Sequence, residues 1–186
     1  MLRFKRGERA AFDLLVERNT NKIHALVFRF LGDPAAVEDL TQEVFLRIYR
    51  TAPRYEPTAK FSTWLYRIVA NLSFNVLRNR KKAHQTQLEA IGAGDDDEAF
   101  YRDVKDEKTA SPTKAMDASE LSSVVSAAIE ALPENQKIAI ILNKYEHKNY
   151  EDIASILACS TMAVKSLLSR ARGNLKDSLQ RYLRPE

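Results

Sequence analysis

Apolar residues recur at steps of three and four along most of the chain, which is the spacing of one face of an amphipathic helix. The pattern predicts a first long helix that starts near Phe12 and ends at Gly32. Asp33 and Pro34 then supply an N-cap and a proline at the first helical position. A second helix is therefore expected to run to about Arg50.

The connection TAPRYEPTAK contains two prolines, and helical spacing resumes after it from Phe61 to Lys82. Glycine and charge replace the apolar period over residues 83–117, which predicts a flexible acidic linker. Beyond the linker, four further helical segments are expected. The predicted fold class is therefore all-α, with two small helical domains, residues 1–82 and 118–186, joined by the linker.

Charge is segregated along the chain, whose net charge is +4. Residues 44–84 hold nine Lys and Arg against one acidic residue, and residues 165–184 hold six against one. Residues 95–108, by contrast, hold seven acidic residues against three basic ones. Clustered basic charge favours a polyanionic partner such as nucleic acid, and a basic membrane-binding helix is the alternative.

Several classes of protein are disfavoured by composition. No apolar stretch approaches the roughly 20 residues of a membrane span, and the N-terminus lacks the apolar run of a signal peptide, so a cytoplasmic protein without membrane insertion is expected. Cys159 is the only cysteine, and the three histidines have no metal-ligand or triad spacing. The five glycines form no phosphate-binding loop. The sequence therefore predicts no cofactor, no metal and no enzymatic activity.

The stretch NYEDIASILACSTMAVKSLLSRAR fits the helix-turn-helix pattern. Asn149 and Asp152 form an expected capping pair, and Ser160 is expected to cap the second helix. Ala154 is the small residue where the two helices pass closely, and Ala158 stands in the turn where glycine is usual. The apolar positions expected to hold the two helices together are Ile153, Leu157, Cys159, Val164 and Leu167.

The outward side of the second helix predicts DNA binding, because such residues reach base edges and phosphates when the helix enters the major groove. Two short amphipathic helices with a basic end also occur in ordinary helical bundles, and this alternative stays open. Cys159 is interpreted as a small core hydrophobe. The outward residues are Thr161, Met162, Lys165, Ser166, Ser169, Arg170 and Arg172.

Aromatic residues alternate with cations from Lys60 to Lys82, a combination that suits single-stranded nucleic acid because bases stack on rings while cations follow phosphates. Trp64 and Phe74 could equally be core residues. In the preceding helix, Asp39, Gln42, Glu43 and Arg47 form a polar face that would ordinarily only be solvated.

Taken together, these stretches resemble the bacterial RNA polymerase sigma factors of the extracytoplasmic-function group. The resemblance runs from AFDLLVERNTNKIHALVFRFLGD through EDLTQEVFLRIYR, FSTWLYRIVANLSFNVLRNRKK and ALPENQKIAIILNKYEHKNYEDIASIL to STMAVKSLLSRAR. It implies a transcription initiation factor that binds core RNA polymerase and directs it to promoters through −10 and −35 elements. Members of this group catalyse nothing themselves.

The resemblance also implies a role for each surface. The clamp helices of the polymerase β′ subunit are expected to contact Asp39, Gln42, Glu43 and Arg47. The −10 element is expected to contact Lys60, Trp64, Arg67, Asn71, Asn75, Arg78, Arg80 and Lys81. The outward residues of the helix-turn-helix are expected to read the −35 element as duplex DNA. The polymerase β subunit and an anti-sigma protein are further expected partners.

Individual positions carry more specific expectations from the resemblance. Asn71 matches a position that borders a pocket for a base flipped from the non-template strand, where an amide offers both a donor and an acceptor. Alternatively, Asn71 caps or interrupts the helix in a loop. Met162 and Leu167 depart from the group, which commonly has glycine and arginine there. These departures predict a missing DNA contact and an altered −35 preference.

The acidic segment is expected to cross the polymerase along its positively charged RNA path, where it would act as a nucleic-acid mimic. An ordinary solubilising linker is the alternative. Three other functions are alternatives: a helix-turn-helix regulator that does not associate with core polymerase, a response-regulator-like factor, and a helical adaptor that binds only proteins. The response regulator would need a receiver domain with strands, and no strand pattern is found. The adaptor is disfavoured by the basic helices.

Overall fold

A computed structural model of the chain describes residues 1–90 and 118–183, and all the regular structure in these ranges is helical. The first unit comprises α1 (Leu2–Lys5), α2 (Ala10–Leu31), α3 (Ala35–Thr51), a 3₁₀ turn (Ala52–Arg54) and α4 (Phe61–Ala90). The second comprises α5 (Ala118–Glu130), α6 (Glu134–Lys144), α7 (Tyr150–Leu157) and α8 (Thr161–Leu183).

The turn between α2 and α3 confirms the predicted boundary. Gly32 adopts the left-handed conformation at φ +64°, which favours glycine because it has no Cβ. The Oδ1 atom of Asp33 accepts a hydrogen bond from the Ala35 N–H at 2.9 Å, so Asp33 caps α3.

The core of the first unit is built from the apolar faces of α2, α3 and α4. These faces are the ones that three- and four-residue spacing predicts. Its fully buried residues are Ile23, Leu26, Val27, Phe30, Val44, Ile48, Leu65, Val69 and Ala70.

Two features of the first unit differ from the prediction. The short helix α1 has no counterpart in the predicted elements, and it packs Phe4 against Phe12 and Tyr49 with ring centroids 4.8 and 5.3 Å apart. Helix α4 continues through Ala90, eight residues into the segment predicted as linker. Its last two turns are polar, so no apolar period marked them as helical. The acidic run 94–108 lies outside the described residues.

In the second unit, α7 and α8 form the helix-turn-helix and pack on α6. Of the five apolar positions expected to join them, Ile153 and Val164 are fully buried, whereas Leu157, Cys159 and Leu167 are only half-buried. Additional buried positions are occupied by Ile156, Leu168 and Ala171. Ala154 is buried, as expected for the residue where the helices pass closely.

The two units lie against each other, and their buried apolar residues form one continuous cluster. Helix α4 packs on α7, and α2 packs on α6. Polar bonds cross the seam: the Tyr66 hydroxyl donates to a Glu146 carboxylate oxygen at 2.8 Å, and the Arg67 Nε donates to the Ser155 carbonyl oxygen at 2.9 Å. The fold is therefore a closed arrangement.

Among the described residues, no single helix is both long and apolar enough to cross a membrane. The bent pair α7 and α8 reaches that threshold jointly, by length and composition alone.

Candidate nucleic-acid interface

Side-chain caps at the start of each helix set the geometry of the helix-turn-helix. The Asn149 Oδ1 accepts from the Asp152 N–H at 2.7 Å, and the Ser160 Oγ accepts from the Ala163 N–H at 3.1 Å. Both caps are the predicted ones. Between them, Ala158 adopts a left-handed backbone conformation with φ 52° and ψ 45°, which the glycine usual in this turn would adopt without steric cost.

The burial of α8 sets which of its sides faces outward. Val164, Leu168 and Ala171 are fully buried and hold one side of the helix against the core. The opposite side, here termed the α8 face, is exposed at every predicted position: Thr161, Met162, Lys165, Ser166, Ser169, Arg170 and Arg172. All seven predicted residues are therefore available to a ligand that approaches this helix.

A second outward surface follows α4 at steps of three and four residues. This α4 stripe consists of Trp64, Arg67, Asn71, Asn75, Arg78 and Lys82, with Lys60 just before the helix and Lys81 at its edge. At 1.5 Å per residue the stripe is about 27 Å long. Lys82 was not among the predicted site residues, although its spacing from Arg78 places it on the stripe.

Three predicted −10 residues have surroundings that refine their roles. Trp64 is half-buried, with its ring centroid 4.9 Å from that of Tyr55, so it belongs partly to the core. Asn71 is exposed in the middle of continuous helix, so the alternative that it caps a helix in a loop is wrong. Arg80 faces away from the stripe and forms an ion pair with Asp33.

A third surface, the α3 face, contains the residues expected to contact polymerase. Asp39, Gln42 and Arg47 are exposed, and Glu43 is 3.6 Å from Arg47 in an i, i+4 ion pair. Two large apolar residues on the same face were missed by sequence reasoning: Leu46 and Tyr49, which are 48% and 51% exposed. Both lie outside the helical spacing of the buried residues of α3. That position was the signal by which the sequence could have identified them as exposed.

The seam between the units holds a buried phenol. Burial, and then the hydrogen bond to Glu146, hold the pKa of the Tyr66 hydroxyl well above its usual value. The hydroxyl therefore keeps its proton, and continues to donate, to a higher pH than an exposed tyrosine would. Burial also raises the pKa of the Cys159 thiol, which agrees with a packing role rather than a reactive one.

The three surfaces do not converge on one pocket. The α4 stripe and the α8 face lie on separate helical units, and Arg67 of the stripe is engaged by the backbone of α7. An all-helical architecture that combines a helix-turn-helix with a second basic, aromatic helix is typical of nucleic-acid-binding proteins.

Comparison with known proteins identifies the class more closely. The family Sigma-70 region 2 matches residues 15–83, and Sigma-70 region 4 matches residues 123–175. The RNA polymerase sigma-H factor of Pseudomonas aeruginosa is 35% identical over 98% of this chain and 93% of its own length. The ECF RNA polymerase sigma-E factor of Escherichia coli K12 is 34% identical over 98% of this chain and 93% of its own. The chain belongs to the extracytoplasmic-function sigma factors.

Solved structures share the fold. The sigma factor RpoE of Bartonella quintana, solved with the anti-sigma factor NepR, superimposes with a TM-score of 0.65 at 22% identity, over 91% of this chain and 97% of that one. CnrH, solved with the cytosolic domain of CnrY, gives a TM-score of 0.66 at 21% identity, over 95% and 92% of the two chains.

The protein is thus a transcription initiation factor that directs RNA polymerase to promoters and has no catalytic role of its own. Helices α2–α4 correspond to region 2, and α5–α8 correspond to region 4 with its DNA-binding helix-turn-helix.

Proposed function

We propose that this sigma factor reads the −10 element with the α4 stripe and the −35 element with the α8 face. The observation that carries the proposal is the alignment of exposed cations and amides with one half-buried aromatic ring along about 27 Å of α4. Cations can follow phosphates while amides bond to base edges and a ring stacks on a base. The α8 face is polar and basic, which suits the major groove of duplex DNA.

The α3 face is proposed to bind the clamp helices of the polymerase β′ subunit. Exposed apolar side chains beside a polar cluster are typical of a protein interface, because the apolar part loses water on binding while the polar part sets orientation. Leu46 supplies the clearer such side chain, since the Tyr49 ring also packs against Phe4 and Phe12. Binding to the β subunit is proposed through region 4.

The closed arrangement supports a step of opening before DNA binds. In the closed form the guanidinium of Arg67 bonds to Ser155, and Thr63 donates to the Asp152 carboxylate at 3.2 Å. The part of α4 that carries Arg67 therefore lies against α7, and the exposed guanidinium of Arg67 is engaged by the α7 backbone. We propose that the two units separate when the protein joins cytoplasmic core polymerase, and that an anti-sigma protein holds them before that.

The acidic segment between the two units is proposed, from its sequence, to be a flexible linker that occupies the RNA path of the polymerase. Charge repulsion would also keep it off the promoter. Reversing the charges of Asp95, Asp96 and Asp97 should then impair initiation by the holoenzyme; unchanged initiation would contradict the mimic and favour a solubilising linker.

Run-off transcription from a randomised promoter library tests the function as a whole. Core polymerase with the protein should start transcription from templates enriched in two spaced elements, and core alone should not. Arg170→Ala should alter the selected −35 element and leave the −10 element unchanged, whereas Asn71→Ala should do the reverse. Equal start sites with and without the protein would refute the proposed function.

A further inference from the structure

Met162 is the most exposed of the large apolar side chains in the described part of the chain, at 79%. It lies in the first turn of α8, two residues before the buried Val164. An apolar side chain with this exposure contributes almost nothing to the core, because its surface stays in water. The fold therefore gives no reason for an apolar residue at this position.

The direction of the side chain follows from the burial of its helix. Because Val164, Leu168 and Ala171 hold one side of α8 in the core, helical spacing places Met162 at the centre of the opposite side, with Ser166 and Ser169. The first turn of a recognition helix is also the part that comes nearest to base edges in the major groove.

The chemistry of the side chain limits what it can recognise there. A thioether donates no hydrogen bond and accepts only weakly, so it cannot read the donor and acceptor pattern of a base pair. The apolar group that the major groove offers is the C5-methyl of thymine. An unbranched, flexible side chain can adapt its three torsions to reach such a group.

We propose that Met162 selects a thymine at one position of the −35 element by contact with its C5-methyl group. The proposal rests on the proposed function, in which the α8 face reads duplex DNA. It adds a specificity that the neighbouring Lys165 and Ser166 cannot supply, because their polar ends seek acceptors and donors rather than a methyl group.

Deoxyuridine provides the test, since it removes the methyl group of thymine and changes nothing else in the base pair. The −35 element is first selected with the wild-type holoenzyme from a randomised library. Each thymine of the selected element is then replaced singly by deoxyuridine, and affinity of the holoenzyme for each promoter is measured. At one position the affinity should fall about fourfold, which is the contribution of one buried methyl group.

A double-mutant cycle assigns that loss to the side chain. Met162→Ala should bind the thymine promoter about fourfold more weakly and should show no further loss with deoxyuridine at the same position. Leu121→Ala, which truncates another exposed apolar side chain on α5, should keep the full deoxyuridine effect. Both variants should melt within about 1 °C of wild type, since neither side chain is in the core.

The possible outcomes distinguish failure of the methyl contact from failure of the proposed function. If the holoenzyme requires a −35 element but Met162→Ala keeps the deoxyuridine effect, or no thymine position shows one, the methyl contact is refuted and the proposed function stands. A selected −35 element without thymine refutes it equally. If the wild-type holoenzyme selects no −35 element, the proposed function fails and the inference fails with it.

Discussion

At the scale of single residues, the turn of the helix-turn-helix carries an identifiable strain. Ala158 is left-handed, and its Cβ crowds the following carbonyl oxygen in that conformation. The surrounding caps hold the turn in place despite this cost. A left-handed alanine here shows that packing of α7 and α8 outweighs the cost of about 1 kcal/mol that the left-handed backbone conformation carries for alanine.

Ala158→Gly should therefore stabilise the protein by about 0.5–1 kcal/mol, because glycine adopts the left-handed conformation without the clash. Part of the gain is offset because glycine increases the conformational entropy of the unfolded chain. Urea denaturation of the full chain measures the change. The matched control is Ala127→Gly at an exposed position inside α5, where the same substitution should destabilise by about 1 kcal/mol. A destabilised Ala158→Gly would refute the argument from backbone strain.

Tyr66 shows how a single hydroxyl makes stability depend on pH. Its pKa is raised in the folded protein above the value of about 10 that an unfolded tyrosine has. The unfolded chain therefore loses the proton first as pH rises. The stability linked to this group is complete below about pH 10 and falls as pH increases above it.

The expected result is a fall in the free energy of unfolding between about pH 9.5 and 11 that is steeper for the wild type than for Tyr66→Phe. The difference between the two proteins is the informative quantity, because it cancels every contribution that they share. Parallel pH profiles would show that the Tyr66 hydroxyl makes no such contribution.

At the scale of elements, α3 combines two functions on opposite sides. Its buried side, with Val44 and Ile48, anchors the first unit. Its outward α3 face keeps Leu46 in water, where an apolar side chain is useful only to a partner. The polar residues beside it would set the orientation of that partner.

Leu46→Ala should weaken binding to core polymerase by about tenfold, the effect of losing a central apolar contact. Its melting temperature should stay close to that of wild type, since the side chain is half exposed. Fluorescence titration of labelled protein with core polymerase measures the affinity. Leu14→Ala truncates another exposed apolar side chain, on α2, and is the control for a loss of affinity that any such truncation would cause. Equal affinities for Leu46→Ala and wild type would exclude Leu46 from the interface.

At the scale of the whole molecule, Glu146 is the centre of the seam between the two units. Its carboxylate accepts from Tyr66 at 2.8 Å and from Arg29 at 3.2 Å, and both partners belong to the first unit. Arg29 also lies over the Tyr145 ring, and Lys148 over that of Tyr66. These contacts hold α2 and α4 against the connection between α6 and α7.

Glu146→Ala should favour the open form by about 2 kcal/mol, or roughly 30-fold, because hydrogen bonds to a charged group are lost and their donors are left at the seam. Small-angle scattering of the free protein should show a larger radius of gyration. Free protein should also bind −10 single-stranded DNA more tightly, since Arg67 is released. Glu151→Ala, an exposed acid on α7, should change neither quantity. An unchanged radius for Glu146→Ala would mean that the other contacts across the seam are sufficient to close the molecule.

The helices and their caps were predictable because the information is local. The end of α2 and the start of α3 follow from Gly32 and Asp33, and the helix-turn-helix follows from the caps at Asn149 and Ser160. The outward residues of α8 were identified for the same reason, since helical spacing alone places them on one side. The end of α4 was missed because its last turns are polar and have no apolar period.

Tertiary structure decided what depends on contacts between distant parts of the chain. Ile156 and Leu168 are at helical spacing from Ile153 and Val164, but only the packing of α7 and α8 on other helices buries them fully while Leu157 and Leu167 stay half-buried. The half-burial of Trp64 and the closure of α4 on α7 likewise depend on partners far away in sequence. Local periodicity determines which side of a helix is apolar, whereas only the assembled fold determines what that side meets and which residues remain available to polymerase and promoter.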